Sequence, residues 1–310
     1  MASTLVPTAT QLEAAGFLKR RRLVNHAVRL FLFLCAALSV FVTTGIVYVL
    51  LSESWQFFAK VSIIEFLTGT EWTPVFTNAK FGILPLLAAT LQVAGLAMFI
   101  AVPCGTLLAV YLSEYAPNSV RETIKPALEM LEAVPTVVYG YFALLVMTPF
   151  LQNFIPGLAG INLLVPSIIL GIMILPYVVS VSEDAMRAVP NGLREGGYAL
   201  GMSRWQVAFR VVVPAAFSGI TAAYILGMSR AVGETMVLAI AAGQNPNLTL
   251  DPREGAATIT AYIVQMSLGD LPHGTLVYST IFATGLVLFL ITLSFNVAGY
   301  YLRKRFREAY

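Results

Sequence analysis

The chain has 310 residues, of which 58% are hydrophobic and only 11% charged, with a formal net charge of +3. A soluble domain carries roughly 25% charged residues, so this composition excludes a soluble globular protein and leaves a polytopic membrane protein. Mean hydropathy of +0.79 agrees. Cys35 and Cys104 both fall in apolar runs and read as small core residues, not a disulfide framework. His26 and His273 lie far apart, and no metal-ligand spacing occurs. Neither a metal site nor a nucleic-acid partner is expected.

Charge-free length marks the spans, since about 20 apolar residues cross the hydrocarbon core. Lys19, Arg20, Arg21 and Arg22 precede an uncharged run from Leu30 to Leu51. That run is too long for a signal peptide and reads as an uncleaved first span. Phe81 to Ser113 gives the second. Ala133 to Ser182 is too long for one helix, and the turn residues of Asn153–Asn162 divide it into two. A fifth helix starts near Pro214, where proline suits a first turn, and runs to about Ala242. The sixth covers roughly Thr275 to Leu302. The expected fold is an all-α membrane protein with six transmembrane helices. Its domain spans 28–302, between terminal tails at 1–27 and 303–310.

The basic residues orient this topology. With both termini in the cytoplasm, fifteen of the 19 Lys and Arg fall on the inside. Lys60, Lys80 and Arg253 fall outside, and Arg230 falls within the membrane. The outer connections, about 52–80 and 243–274, carry Trp55, Trp72, Phe57, Phe58 and Phe66. These aromatics read as interfacial anchors or as a docking surface.

A P-loop needs a lysine directly after a glycine, because backbone N–H groups and that lysine cradle the phosphates. Lys19, Lys60, Lys80, Lys125 and Lys304 all lack the preceding glycine. The chain is therefore expected to be no enzyme and to bind no cofactor. If ATP drives it, ATP and Mg belong to a partner.

The inner connection 183–213 contains Glu195-Gly196-Gly197, then Gly201, then Val211 and Val213, with Pro214 directly after it. Its spacing resembles the cytoplasmic loop of permeases of bacterial ABC importers, Glu-Ala-Ala, three residues, Gly, nine residues, Ile-x-Leu-Pro. Glycines here replace both alanines, and valines replace Ile and Leu. Physically this is a short helix, a reversal that glycine permits and a second short helix leading into the next span. Such a knob can fit a cleft in an ATPase and transmit its motion. An amphipathic segment lying on the membrane surface is the other reading.

Arg230 and Glu234 are four residues apart, so on one helix they share a face and can pair. An unpaired Arg at the bilayer centre costs about 2.5–3.5 kcal/mol or more, so the pair must face the bundle or a watery path. Two readings follow: a mutually neutralising structural pair, or an anion path lined by Arg230 and held or gated by Glu234.

Five segments sharpen the class: Glu65–Pro74 (EFLTGTEWTP), Tyr111–Ala116 (YLSEYA), Val134–Gly140 (VPTVVYG), Ser229–Met236 (SRAVGETM) and Gln265–Asp270 (QMSLGD). Together they resemble the permeases of bacterial phosphate importers, PstC type, over nearly the whole chain from about residue 25. The resemblance implies the ABC importer type I permease fold and inorganic phosphate as the substrate. It also implies a PstA-type permease partner, a dimer of ATPase subunits and an extracytoplasmic phosphate-binding protein, all at a bacterial inner membrane. Arg230 and Glu234 fall on family positions associated with phosphate passage. A permease for another oxyanion such as molybdate or sulfate, or a phosphate-sensing scaffold for a sensor kinase, are the alternatives.

Overall fold

The computed structural model describes residues 9–305, and they divide into two compact units, 1–52 and 53–310. Most of the first unit lies in α1 (Ala9–Phe58), a single helix that begins inside the stretch read as a tail. Its segment Val24–Phe58 is long and apolar enough to cross a membrane. Thr43 and Thr44 return their hydroxyls to the carbonyls of Ser39 and Val40, which satisfies them without an outside partner.

In the second unit, α2 (Ile63–Thr68) precedes the long α3 (Leu84–Val110), which continues through a π turn at Tyr111–Tyr115. Next come α4 (Asn118–Ala133), α5 (Thr136–Phe142), a π turn at Ala143–Met147 and α6 (Thr148–Gln152). After a turn, α7 (Leu164–Arg187) leads into α8 (Asn191–Ala199) and α9 (Arg204–Val207). A third π turn, Ala208–Val212, joins α10 (Val213–Ala215) to α11 (Phe217–Val232). The chain ends with α12 (Met236–Ala241), α13 (Ile259–Ser267) and α14 (Leu276–Arg305).

Four helical segments are long and apolar enough to span alone: Val24–Phe58, Leu84–Tyr115, Leu164–Arg187 and Leu276–Arg305. Two bent pairs complete the expected six: Asn118–Ala133 with Thr136–Gln152, bent by 86°, and Arg204–Ala215 with Phe217–Val232, bent by 71°. Pro135 makes the first bend, since a residue before proline leaves the helical region and Val134 is extended at ψ 126°. The arm before it carries Arg121, Glu122, Lys125, Glu129 and Glu132. Only its apolar continuation, about 25 Å long at 1.5 Å per residue, is suited to lipid. The connection 114–132, between the second and third expected spans, is therefore mostly helix.

The central core joins α3, α7 and α11 through Val93, Ala97, Leu170, Ile174, Val178 and Ala231. Small residues bring these helices close, as apolar spans without a hydrophobic driving force require. A second cluster lies at the end holding α2, α13 and the start of α14. There Phe57, Phe66, Trp72, Phe81 and Tyr262 are buried and meet edge to face, with Trp72 and Tyr262 centroids 5.1 Å apart. This corrects the reading of Trp72, Phe57 and Phe66 as anchors: they fill a core, and only Trp55 stands exposed. Cys35 and Cys104 are unpaired and exposed, not core residues.

Candidate functional site: a clamped knob and a broken helix

The connection 183–213 has the expected form. After Pro190, α8 runs to Ala199, Gly201 turns with φ +78°, and Ser203 caps α9, which begins at Arg204. A left-handed residue is cheap only for glycine, which is why the reversal falls at Gly201. Ser203 and Gln206 close a capping box, with the Ser203 N–H donating to Gln206 Oε1 at 2.8 Å. Gly197 is the buried member of α8: a Cβ there would lie 3.0 Å from Val207 Cγ2, so α8 seats directly on α9. Glu195 and Gly196 face outward. Pro214 sits in the first turn of α10, where its missing N–H costs nothing.

The underside of the knob is apolar. Val207, Ala208 and Val212 bury against Ala109 and Leu112 of the α3 end and Val179 and Met186 of α7. Its outer side leaves Tyr198, Trp205 and Phe209 exposed, and Leu200 is 80% exposed. This projection thus has an exposed apolar face.

Two carboxylates hold it in place. Glu114, in the π turn after α3, accepts from Arg194 at 2.9 Å and 3.2 Å, and both side chains are largely buried. Arg194 also donates to the carbonyls of Val189 and Met186. One side chain thereby joins α8, the end of α7 and the end of α3. Glu183 is fully buried and receives Arg121 at 2.7 Å, Lys125 at 2.8 Å and Arg187 at 3.7 Å. Lys125 also reaches Asp184 at 2.9 Å. Burial works against its charge, but the hydrogen bonds and charges of Asp184 and Glu183 outweigh that and hold its pKa above the usual lysine value. The amphipathic arm α4 is thus clamped to α7 a few residues before the knob. Sequence reasoning did not single out Glu114 or Glu183. A signal was present: each is the first charge after a long charge-free run, facing a basic neighbouring connection.

Arg230 and Glu234 do not pair. Gly233 caps α11 with φ −88° and ψ −2°, and the chain resumes as α12 only at Met236. Glu234 therefore lies in a break, off the helical face of Arg230. Its backbone carbonyl accepts from Thr260 Oγ1 of α13 at 2.6 Å, and its side chain faces the Val237 N–H at 3.4 Å. Arg230 instead lays its guanidinium over the Tyr177 ring of α7, 4.7 Å from the centroid. Its Nε is buried with no hydrogen-bond partner, as is the Ser229 hydroxyl. A broken span with irregular backbone inside a bundle is tolerated where it is packed by protein or lines a cavity. Such breaks occur at transport sites.

Among the described residues no group of three His, Cys, Asp or Glu could hold a metal.

Known proteins share both sequence and fold. The Mesorhizobium japonicum phosphate transport system permease protein PstC is 36% identical over 87% of this chain and 87% of its own length. The Haemophilus influenzae PstC is 34% identical, over 83% and 86%. A probable ABC transporter permease protein of Bacillus subtilis, YqgH, is 36% identical over 93% of each chain. Among solved structures, a bacterial ABC transporter involved in import of the acidic polysaccharide alginate superposes with a TM-score of 0.64. It covers 93% of this chain and 100% of that one at 16% identity, so the likeness is one of fold. The inward-facing MetNI methionine ABC transporter superposes with a TM-score of 0.56 over 72% and 96%, at 16% identity. The family described as binding-protein-dependent transport system inner membrane component matches residues 101–308, and the chain belongs to it, as an ABC importer permease subunit of the PstC type.

Proposed function

We propose that this chain forms part of the membrane pathway of an ATP-driven importer and carries inorganic phosphate into the cytoplasm by alternating access. The observation that carries the importer reading is the knob. Its apolar face is free, while Arg194 and Glu114 tie it to the ends of two spans, so a push on it moves those spans. Phosphate as cargo draws support from the PstC relatives, 31–36% identical over most of the chain. ATP and Mg act in the partner, an ATPase dimer whose cleft would take α8 and α9 around Glu195, Gly196, Gly197 and Gly201. A PstA-type permease would complete the pathway, and an extracytoplasmic phosphate-binding protein would deliver the anion. The knob end then faces the cytoplasm with both termini, in agreement with the basic residues.

In this scheme ATP binding closes the cleft on the knob and shifts α3, α7 and α11 together, which re-exposes the break at Gly233 to the other side. Arg230 supplies the positive charge. A guanidinium suits a phosphate because its fork donates two parallel hydrogen bonds. The test is uptake of labelled phosphate at low external concentration, in cells lacking only this chain and then complemented. Loss and rescue that excess sulfate and molybdate do not compete establish phosphate. Competition by either anion transfers the assignment to that oxyanion.

A further inference from the structure

Arg230 takes no carboxylate although Glu234 is four residues away, and its partner is an aromatic face. A ring face carries no lone pair and so accepts no conventional hydrogen bond from the guanidinium. The five N–H donors lie in its plane, and Nε, one of them, is buried and unsatisfied. The adjacent Ser229 hydroxyl is also buried and unsatisfied. Two orphaned polar groups on consecutive residues inside an apolar bundle cost free energy that a permanent partner would remove. They fit an acceptor that arrives and leaves. The break at Gly233 matters equally: it displaces Glu234 from the helical face on which an i, i+4 ion pair would have neutralised the arginine.

From this geometry we propose that Tyr177 is a positioning residue for anion passage. Its ring face holds the Arg230 guanidinium by cation–π contact, which leaves the N–H donors to a tetrahedral oxyanion and the arginine unpaired with Glu234. The proposal rests on the reading of Arg230 as part of the phosphate path. Cation–π attraction suits the task because it strengthens where the cation is desolvated yet consumes no N–H donor. The hydroxyl of Tyr177 has no part in it, so phenylalanine should serve as well as tyrosine.

The experiment compares Tyr177→Phe, Tyr177→Leu, Tyr177→Met and Arg230→Gln in the assembled transporter, measuring phosphate uptake against concentration and recovery of the intact complex. Met is included because its flexible side chain fills a ring-shaped gap where Leu packs poorly. Tyr177→Phe should stay within about twofold of wild type. Both ring-less variants should lose about tenfold or more in maximal uptake at nearly unchanged KM, with the complex recovered intact, as expected for a residue acting after substrate delivery. Wild-type uptake by the Leu and Met variants overturns the proposal. So does equal loss in Tyr177→Phe, which would move the role to the hydroxyl, or failed assembly of both ring-less variants, which would make the ring structural. If Arg230→Gln also transports normally, the phosphate path itself is misplaced. If Arg230→Gln is inactive while the ring-less variants are normal, only the role of Tyr177 falls.

Discussion

At the knob end of the second unit, Glu183 and Glu114 are buried under arginine and lysine side chains from other elements. At the opposite end, Phe57, Phe66, Trp72, Phe81 and Tyr262 interlock edge to face. The two ends are fixed by different physics, and the difference bears on what each can do. Apolar packing is short-ranged and loses its contacts within an ångström of separation, so an aromatic cluster holds one arrangement. A carboxylate with several cations around it can exchange partners while staying charged and paired. An importer needs one end that keeps its shape and one end that can be rearranged from outside, and the ionic end is the one that carries the knob. Two further ion pairs among the described residues, Lys80–Glu71 and Arg253–Asp251, are exposed and contribute little of this kind.

The contrast can be broken most decisively at Glu183. Glu183→Ala leaves three cations around a buried vacancy, and removing one partner of a buried pair costs about 3–5 kcal/mol. We expect a large fall in detergent-stable protein together with loss of uptake. A stable, active variant would show that α4 is not clamped there. Trp72→Ala should cost a comparable ~3–5 kcal/mol by emptying a packed aromatic site, but with a different signature. Thermal stability should drop while uptake per folded molecule persists, and a selective loss of coupling would erase the distinction between the ends. Glu114→Gln weakens the link to Arg194 by about 1.5–3 kcal/mol, the worth of a charge-assisted hydrogen bond. ATP hydrolysis by the complex should then continue with reduced phosphate uptake, measured side by side in proteoliposomes. Gly201→Ala places a Cβ at φ +78° and costs about 1–2 kcal/mol, read as a modest loss of ATPase co-purification.

The smallest effect belongs to Asp251. The hydrogen bonds of Arg253 lower its pKa to about 2 from 3.8. A depressed carboxylate stabilises above its unfolded pKa and loses that contribution progressively as pH falls from 3.8 to about 2. Uptake should therefore show no titration of Asp251 between pH 5 and 8, and Asp251→Asn should leave the uptake profile across that range unchanged.

How much of this was legible in the chain itself follows from the range of each signal. The spans and the Asn153–Asn162 turn are local patterns, and so is the reversal at Gly201, which needs nothing beyond its own φ. The clamps are not local. Glu183 meets Arg121 across 62 residues and Glu114 meets Arg194 across 80, separations at which periodicity carries no information. The Arg230–Glu234 pair failed for a related reason: i, i+4 spacing implies contact only on a continuous helix, and Gly233 ends that helix. Trp72 was misread because an aromatic in a connection looks the same whether it anchors at an interface or fills a core.

The π turns at Tyr111–Tyr115, Ala143–Met147 and Ala208–Val212 carry a consequence of another kind. In each, the following N–H bonds five residues back, to Tyr111, Ala143 and Ala208 respectively. A π turn is an α-helix storing one surplus residue. If the surplus migrates along the helix, hydrogen bonds are traded one for one, and every side chain it passes swings by about 100° around the axis. Three of the membrane-crossing elements thus hold a swivel, and two of those swivels adjoin the parts that Arg194 and Glu114 tie together. A rotation begun at the knob could travel as a dislocation does through a crystal, without melting any turn on the way.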